Sequence, residues 1–164
     1  LCNTPIYNFS YISNCENLEI LKLSHTNVSD LSFLKNLKSL QYLSLQSCNN
    51  IIDFNPINYC INLGILNIEH TKIKKLDILY PLSNLYKLSL SNCTYIYNFY
   101  PLSLCKNLII LNLNYTNIIS LQQLDNLHKL KILYLYKCKF IPYIYLKRYI
   151  PNLYKNCKIY PLTK

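Results

Sequence analysis

Leucine recurs along this chain at a spacing that is neither helical nor simply alternating. Between 18 and 40 it stands at Leu18, Leu21, Leu23, Leu31, Leu34, Leu37 and Leu40, with Val28 between. The L-x-x-L-x-L opening predicts a short strand with Leu21 and Leu23 pointing inward, then a sharp corner. Leucines at Leu31, Leu34 and Leu37 are three apart, which predicts a single 3-10-like turn on the way back. The frame restarts at Leu40, Leu63, Leu85, Leu108, Leu130 and, weakly, Leu153, in steps that alternate between 22 and 23 residues. Such a fixed period predicts a solenoid. One turn alone orders more backbone than its few buried side chains can offset, so the turns must stack. Their strands then form one parallel sheet, spaced about 4.8 Å apart. Pro56, Pro81 and Pro101 fall in the return arms, where no strand hydrogen bond is lost.

Two kinds of turn alternate. One has threonine after the strand (Thr26, Thr71, Thr116) and is 22 residues long; the other has cysteine there (Cys48, Cys93, Cys138) and is 23 long. Together they make a super-repeat of 45 residues. Residues 2–18 match the second half of the turns that end at Leu63 and Leu108, so the chain opens inside a turn whose strand is expected upstream. At the other end Lys147 falls where Leu102 stands one super-repeat earlier. Asn156 and Lys158 occupy inward strand positions after Leu153, which predicts a cap rather than another repeat. The expected organisation is one domain over 1–164, with a truncated first repeat at 1–17, six repeats at 18–152 and a C-terminal cap at 153–164.

This motif resembles the leucine-rich repeat family over essentially residues 2–153, with short units similar to those of internalin-type and phosphatase-regulatory members. Where many members have an inward asparagine, this chain has Thr or Cys. The resemblance implies an α/β-type repeat solenoid: a curved horseshoe with a concave parallel β-sheet and short 3-10 or irregular return arms. It also implies a non-catalytic protein-binding module, the recognition part of a larger adaptor or effector.

Composition narrows the picture. Hydrophobic residues make up 51% and charged ones 15%, which excludes disorder. Apolar runs are only a few residues long, such as Leu108–Leu111, so no membrane span is expected, and no signal-peptide pattern is visible. Alanine and tryptophan are absent and Ile, Asn, Lys, Tyr and Leu dominate, a bias that fits A/T-rich codons. The net charge is +10, and every acidic residue lies at or before Asp125. Lys129, Lys131, Lys137, Lys139, Lys147, Arg148, Lys155, Lys158 and Lys164 follow unopposed. Such an end attracts polyanions or serves as a solvated terminal cap.

Eight cysteines invite a disulfide or zinc reading, which the repeat frame argues against. Cys15, Cys60 and Cys105 take the slot of Leu37, Leu82 and Leu127, as small buried hydrophobes. Cys48, Cys93 and Cys138, with Cys2 as the truncated copy, lie two turns apart, about 10 Å and beyond disulfide reach. No C-x-x-C is present. Free buried thiols predict a reducing, intracellular compartment, cytoplasmic or nuclear. His25 and His70 are also two turns apart, so no metal is expected, and no phosphate loop, nucleophile elbow or other catalytic motif occurs. Neither enzyme nor cofactor is expected.

The strand residues between the leucines line the concave face. The first column is Ile20, Tyr42, Ile65, Lys87, Ile110 and Ile132, an apolar stripe with one interruption. The second is Lys22, Ser44, Asn67, Ser89, Asn112 and Tyr134. A third holds Ser24, Gln46, Glu69, Ser91, Asn114 and Tyr136, with His25, Ser47, His70, Asn92, Tyr115 and Lys137 beside it. An exposed apolar stripe edged by tyrosines and lysines suits a protein hot spot. The predicted binding residues are Ile20, Lys22, Tyr42, Ile65, Asn67, His70, Lys87, Ile110, Asn112, Tyr115, Ile132, Tyr134, Tyr136 and Lys137. The alternative is a nucleic-acid or other polyanion partner held by the basic terminal turns, with Tyr134 and Tyr136 as stacking platforms. A spacer without a partner is the third reading.

Overall fold

Every turn of the chain contributes three residues to the same sheet. A computed structural model describes residues 9–138, 141 and 157–160. The strands are β1 (Ile20–Lys22), β2 (Tyr42–Ser44), β3 (Ile65–Asn67), β4 (Lys87–Ser89), β5 (Ile110–Asn112), β6 (Ile132–Tyr134) and β7 (Lys158–Tyr160), in that order across one open sheet. All pairings are parallel. The register sets Leu21 beside Leu43, then Leu66, Leu88, Leu111, Leu133 and Ile159. These leucines, and the next inward row of Leu23, Leu45, Ile68, Leu90, Leu113 and Leu135, are buried in one continuous core.

The return arms are 3-10 turns, at Ser10–Asn14, Ser32–Asn36, Asn55–Tyr59, Asp77–Leu79, Tyr100–Leu104 and Gln122–Leu124. The three-residue leucine spacing and the hydrogen bonding have one origin. The amides of Leu34, Leu37 and Leu40 donate to the carbonyls of Leu31, Leu34 and Leu37 at 2.9, 3.0 and 3.2 Å. The residues that begin an i to i−3 bond thus all bury on one side. Asp30, Asp53 and Asn98 start these turns by accepting the amide two residues on, at 2.8, 2.9 and 2.9 Å. Pro56 and Pro101 occupy the second positions of theirs, within the first turn, where no donor is needed. Gly64 serves a different need: a Cβ there would lie 2.6 Å from the Tyr86 ring, so the glycine makes room for a neighbouring turn.

The Thr/Cys alternation has a structural reason. Thr26 Oγ1 donates to the Leu23 carbonyl at 2.7 Å, and Cys48 Sγ of the next turn reaches the same oxygen at 3.0 Å. The pattern repeats with Thr71 and Cys93 on Ile68 and with Thr116 and Cys138 on Leu113. A hydroxyl and a thiol from adjacent turns share one buried carbonyl, with oxygen and sulfur 3.7 Å apart in each pair. Each pair adds donors to an inward acceptor, which in the first and third pairs also takes the Thr26 or Thr116 amide at 3.2 Å, and one pair per two turns yields the 45-residue period.

Two expectations are corrected. Cys15 is exposed, not buried. Cys60 and Cys105 are flanked by return arms on both sides, whereas among the described residues Cys15 has such a neighbour on one side only. The strand frame also changes at the C-terminal end, where β7, within the expected cap, adds a seventh strand to the sheet. It starts three places later than the 23-residue frame, which puts Ile159 rather than Asn156 or Lys158 beside Leu133. Cys2, the truncated first repeat up to residue 8, the cap except 157–160, and Lys139, Lys147, Arg148, Lys155 and Lys164 lie outside the described residues.

Burial pushes the Cys60 and Cys105 thiols up to about 12 and that of Cys157 up to about 11. The folded state thus holds these protons more tightly than the unfolded chain. Their contribution to stability is complete below the ordinary thiol range, about 8.5, and is lost as pH rises from there through the folded values. At neutral pH a maleimide, mapped by peptide mass, labels Cys15 first, and Cys60 and Cys105 only upon unfolding. Stability measured by urea declines once pH exceeds the ordinary thiol range. Equal labelling of the three cysteines in the folded protein would contradict the placement.

Candidate protein-binding face

Because side chains alternate along a strand, the two outward residues of each three-residue strand form rows across the sheet. The register joins the first row as Ile20, Tyr42, Ile65, Lys87, Ile110 and Ile132, ending on Lys158 of β7. Ile20 and Lys87 are exposed, whereas Tyr42, Ile65, Ile110 and Ile132 are half-buried by their neighbours. The predicted stripe is therefore contiguous but lower than full exposure would make it. In the second row Lys22 is exposed, and Asn67, Asn112 and Tyr134 are half-buried. Ser44 and Ser89 are buried, contrary to their reading as surface residues. Ser44 is covered by Ser24, their hydroxyls 2.7 Å apart, and Ser89 lies beneath Glu69, to which its hydroxyl donates.

These small serines shape the face. Around Ser89 the sheet has a depression of about 280 Å³, bordered by Tyr42, Ile65 and Ile110, by Tyr134, and by Lys87. Asn67 and Asn112 line it 45 residues apart and are held alike: each side-chain oxygen accepts the amide two residues on, Glu69 or Asn114, at 3.0 Å. Glu69 leans across β4 to accept a hydrogen bond from the Asn112 side-chain Nδ2 at 3.1 Å. A carboxylate fixed by two donors beside apolar walls is a preorganised polar contact.

The C-terminal part of the face is aromatic. Tyr134 stacks on Tyr160 with centroids 4.8 Å apart, and Tyr115 meets Tyr136 edge-on at 5.3 Å. Lys137 lies 5.5 Å from the Tyr115 ring and 5.6 Å from that of Tyr136, and at the other end Lys22 lies 5.5 Å from Tyr42. Sequence reasoning missed Tyr160, hidden by the three-residue shift before β7, and Glu69 as an organiser. Only its lone charge in a neutral column marked the latter.

One further feature shapes this edge of the face. His25, Ser47, His70, Asn92, Tyr115 and Lys137, at the corner of each turn, all have positive φ, between 53° and 59°. The amides of the first five continue the sheet ladder: His25 to Gln46, Ser47 to Glu69, His70 to Ser91, Asn92 to Asn114 and Tyr115 to Tyr136, all within 2.8–2.9 Å. The lateral bonds hold a left-handed backbone that these side chains disfavour. His70 and Asn92 also touch side by side, Nδ1 to Nδ2 at 2.9 Å.

Among the described residues no group of three or more His, Cys, Asp or Glu is placed to hold a metal, and no helix is long and apolar enough to cross a membrane.

A family model for leucine-rich repeats in two copies matches residues 16–59. Those residues thus carry leucine-rich repeats, and the fold of the described chain is that of a leucine-rich repeat solenoid. Its structure superimposes on that of internalin C2 from Listeria monocytogenes at 23% identity and a TM-score of 0.83, covering 99% of this chain and 68% of that one. An internalin, InlF, of the same species matches at 24% and 0.80, covering 96% and 47%. A leucine-rich repeat protein of Leptospira interrogans matches at 25% and 0.82, covering 96% and 41%. The chain thus spans about two thirds of the first neighbour and under half of the other two. No curated protein matches it by sequence.

Replacing His70 by valine, whose branched Cβ tolerates the left-handed region least, costs about 1–2 kcal/mol relative to His70→Gly. Urea unfolding of the two variants checks it. Equal stabilities would mean that the corner relaxes without cost.

Proposed function

We propose that this chain is a non-catalytic interaction module that binds a protein partner on the open face of its sheet, as the recognition part of a larger adaptor or effector. The observation that carries this reading is the continuous row of Tyr42, Ile65, Ile110 and Ile132, interrupted only by Lys87, next to a depression with fixed polar groups. Half-buried apolar side chains beside positioned amides and a carboxylate suit a folded protein surface, which brings both apolar area and hydrogen-bond partners. The leucine-rich repeat fold commonly mediates such contacts. The buried free thiols suit a reducing, intracellular compartment.

A nucleic-acid partner is less well supported. Tyr134 already stacks on Tyr160, and Lys137 lies near both Tyr115 and Tyr136, so the rings that base stacking needs are in part used within the chain. Capture from source-cell lysate with and without nuclease separates the readings. The wild type is compared with a folded Tyr42→Glu, Ile65→Glu, Ile110→Glu, Tyr134→Glu variant. A protein retained by the wild type, lost by the variant and indifferent to nuclease is the expected result. Capture that survives the variant and vanishes with nuclease or moderate salt would replace this reading by the polyanion one.

A further inference from the structure

Away from the sheet face, a groove of about 530 Å³ runs along the flank, between segment 49–55 of one turn and 72–78 of the next. Buried core residues such as Ile51, Phe54 and Ile73 contribute to its lining, and Ile52, 95% exposed, borders it. Lys72, Lys74 and Lys75 line the same groove, all exposed, and none donates a side-chain hydrogen bond to another described residue or forms an ion pair with one. Asp53, the sole acidic residue of the lining, already accepts the Asn55 amide at 2.9 Å. The groove therefore carries three lysines against one carboxylate, with no ion pair between them among the described residues, beside a solvent-facing isoleucine.

The repeat itself does not explain these residues. At the same place 45 residues on stand Asn117, Ile119 and Ser120, and 45 residues before, Asn27, Ser29 and Asp30. Asn117 Nδ2 donates to the Thr94 carbonyl at 2.8 Å and ties its two turns together. Lys72 stands in Asn117's place and makes no such tie, so here the gap between turns stays open.

We propose that this flank groove is a second binding site, which takes an extended, acidic peptide segment of a partner with an apolar side chain against Ile52. Charge complementarity calls for the acidic residues, because each ammonium gains a partner it lacks in the free protein. The exposed Ile52 selects a peptide over a phosphate chain, which has nothing apolar to place there.

Fluorescence anisotropy with a labelled peptide of glutamates flanking one leucine tests this. The chain is compared with a Lys72→Glu, Lys74→Glu, Lys75→Glu variant and with a Lys35→Glu, Lys38→Glu, Lys106→Glu variant. The second carries the same change in net charge on the return arms. Circular dichroism confirms that both fold. The groove variant is expected to lose about tenfold or more in affinity and the control far less. Ile52→Ser weakens the leucine peptide but not an all-glutamate one. Equal losses in the two charge variants would overturn the proposal in favour of general attraction to a basic chain. Polyphosphate that binds the groove as tightly as the leucine peptide would overturn the peptide assignment.

Discussion

No turn of this chain can bury its own leucines, and every other feature follows from that constraint. A turn supplies a three-residue strand and one short 3-10 turn, too little to close a core. It becomes stable only when the next turn places an equivalent leucine 22 or 23 residues later in lateral register. The register must be kept through the corner and the return arm as well as the strand. The amides at the left-handed corners from His25 to Tyr115 accordingly bond to the next turn, and on the return side Asn62, Asn84 and Asn107 reach back to the carbonyls of Lys38, Ile61 and Ser83. Between them the Thr–Cys pairs satisfy carbonyls that face inward.

The same constraint produces the candidate site. A sheet whose inner face is fixed by leucines leaves its outer positions free to vary, and those positions line up in rows without further instruction. The two proposed binding sites therefore rest on residues whose identity the leucine frame does not dictate: Tyr42, Ile65 and Glu69 on the face, Lys72, Lys74 and Lys75 on the flank. Where such a residue departs from the repeat, as Lys72 does from Asn117, the departure points to something other than stacking.

Much of this was legible in the sequence because stacking reuses a few positions. The leucine spacing placed the strands, the threefold spacing placed the 3-10 turns, and the Thr/Cys columns marked a super-repeat. What was not legible depended on contacts between turns. A left-handed corner is usually betrayed by glycine, and here His25, Ser47, His70 and Tyr115 hold it through lateral bonds instead. The asparagines read as coding bias include the bridges between return arms. Exposure of Cys15 depends on what stacks beside it, and the late start of β7 depends on which residue can face Leu133. The role of Glu69 arises diagonally, across β4 to Asn112, a relation that no column shows.

Native-state hydrogen exchange on a Leu88→Ala variant tests most directly whether turns are stable only through their neighbours. Leu88 lies between Leu66 and Leu111, and the amides of Leu45, Ile68 and Leu90 each bond into the following turn. The truncation costs about 2–5 kcal/mol, and the account predicts that all three amides lose protection together by similar free energies. Loss confined to Leu90, with Leu45 and Ile68 unchanged, would contradict it and make each turn an independently stable unit.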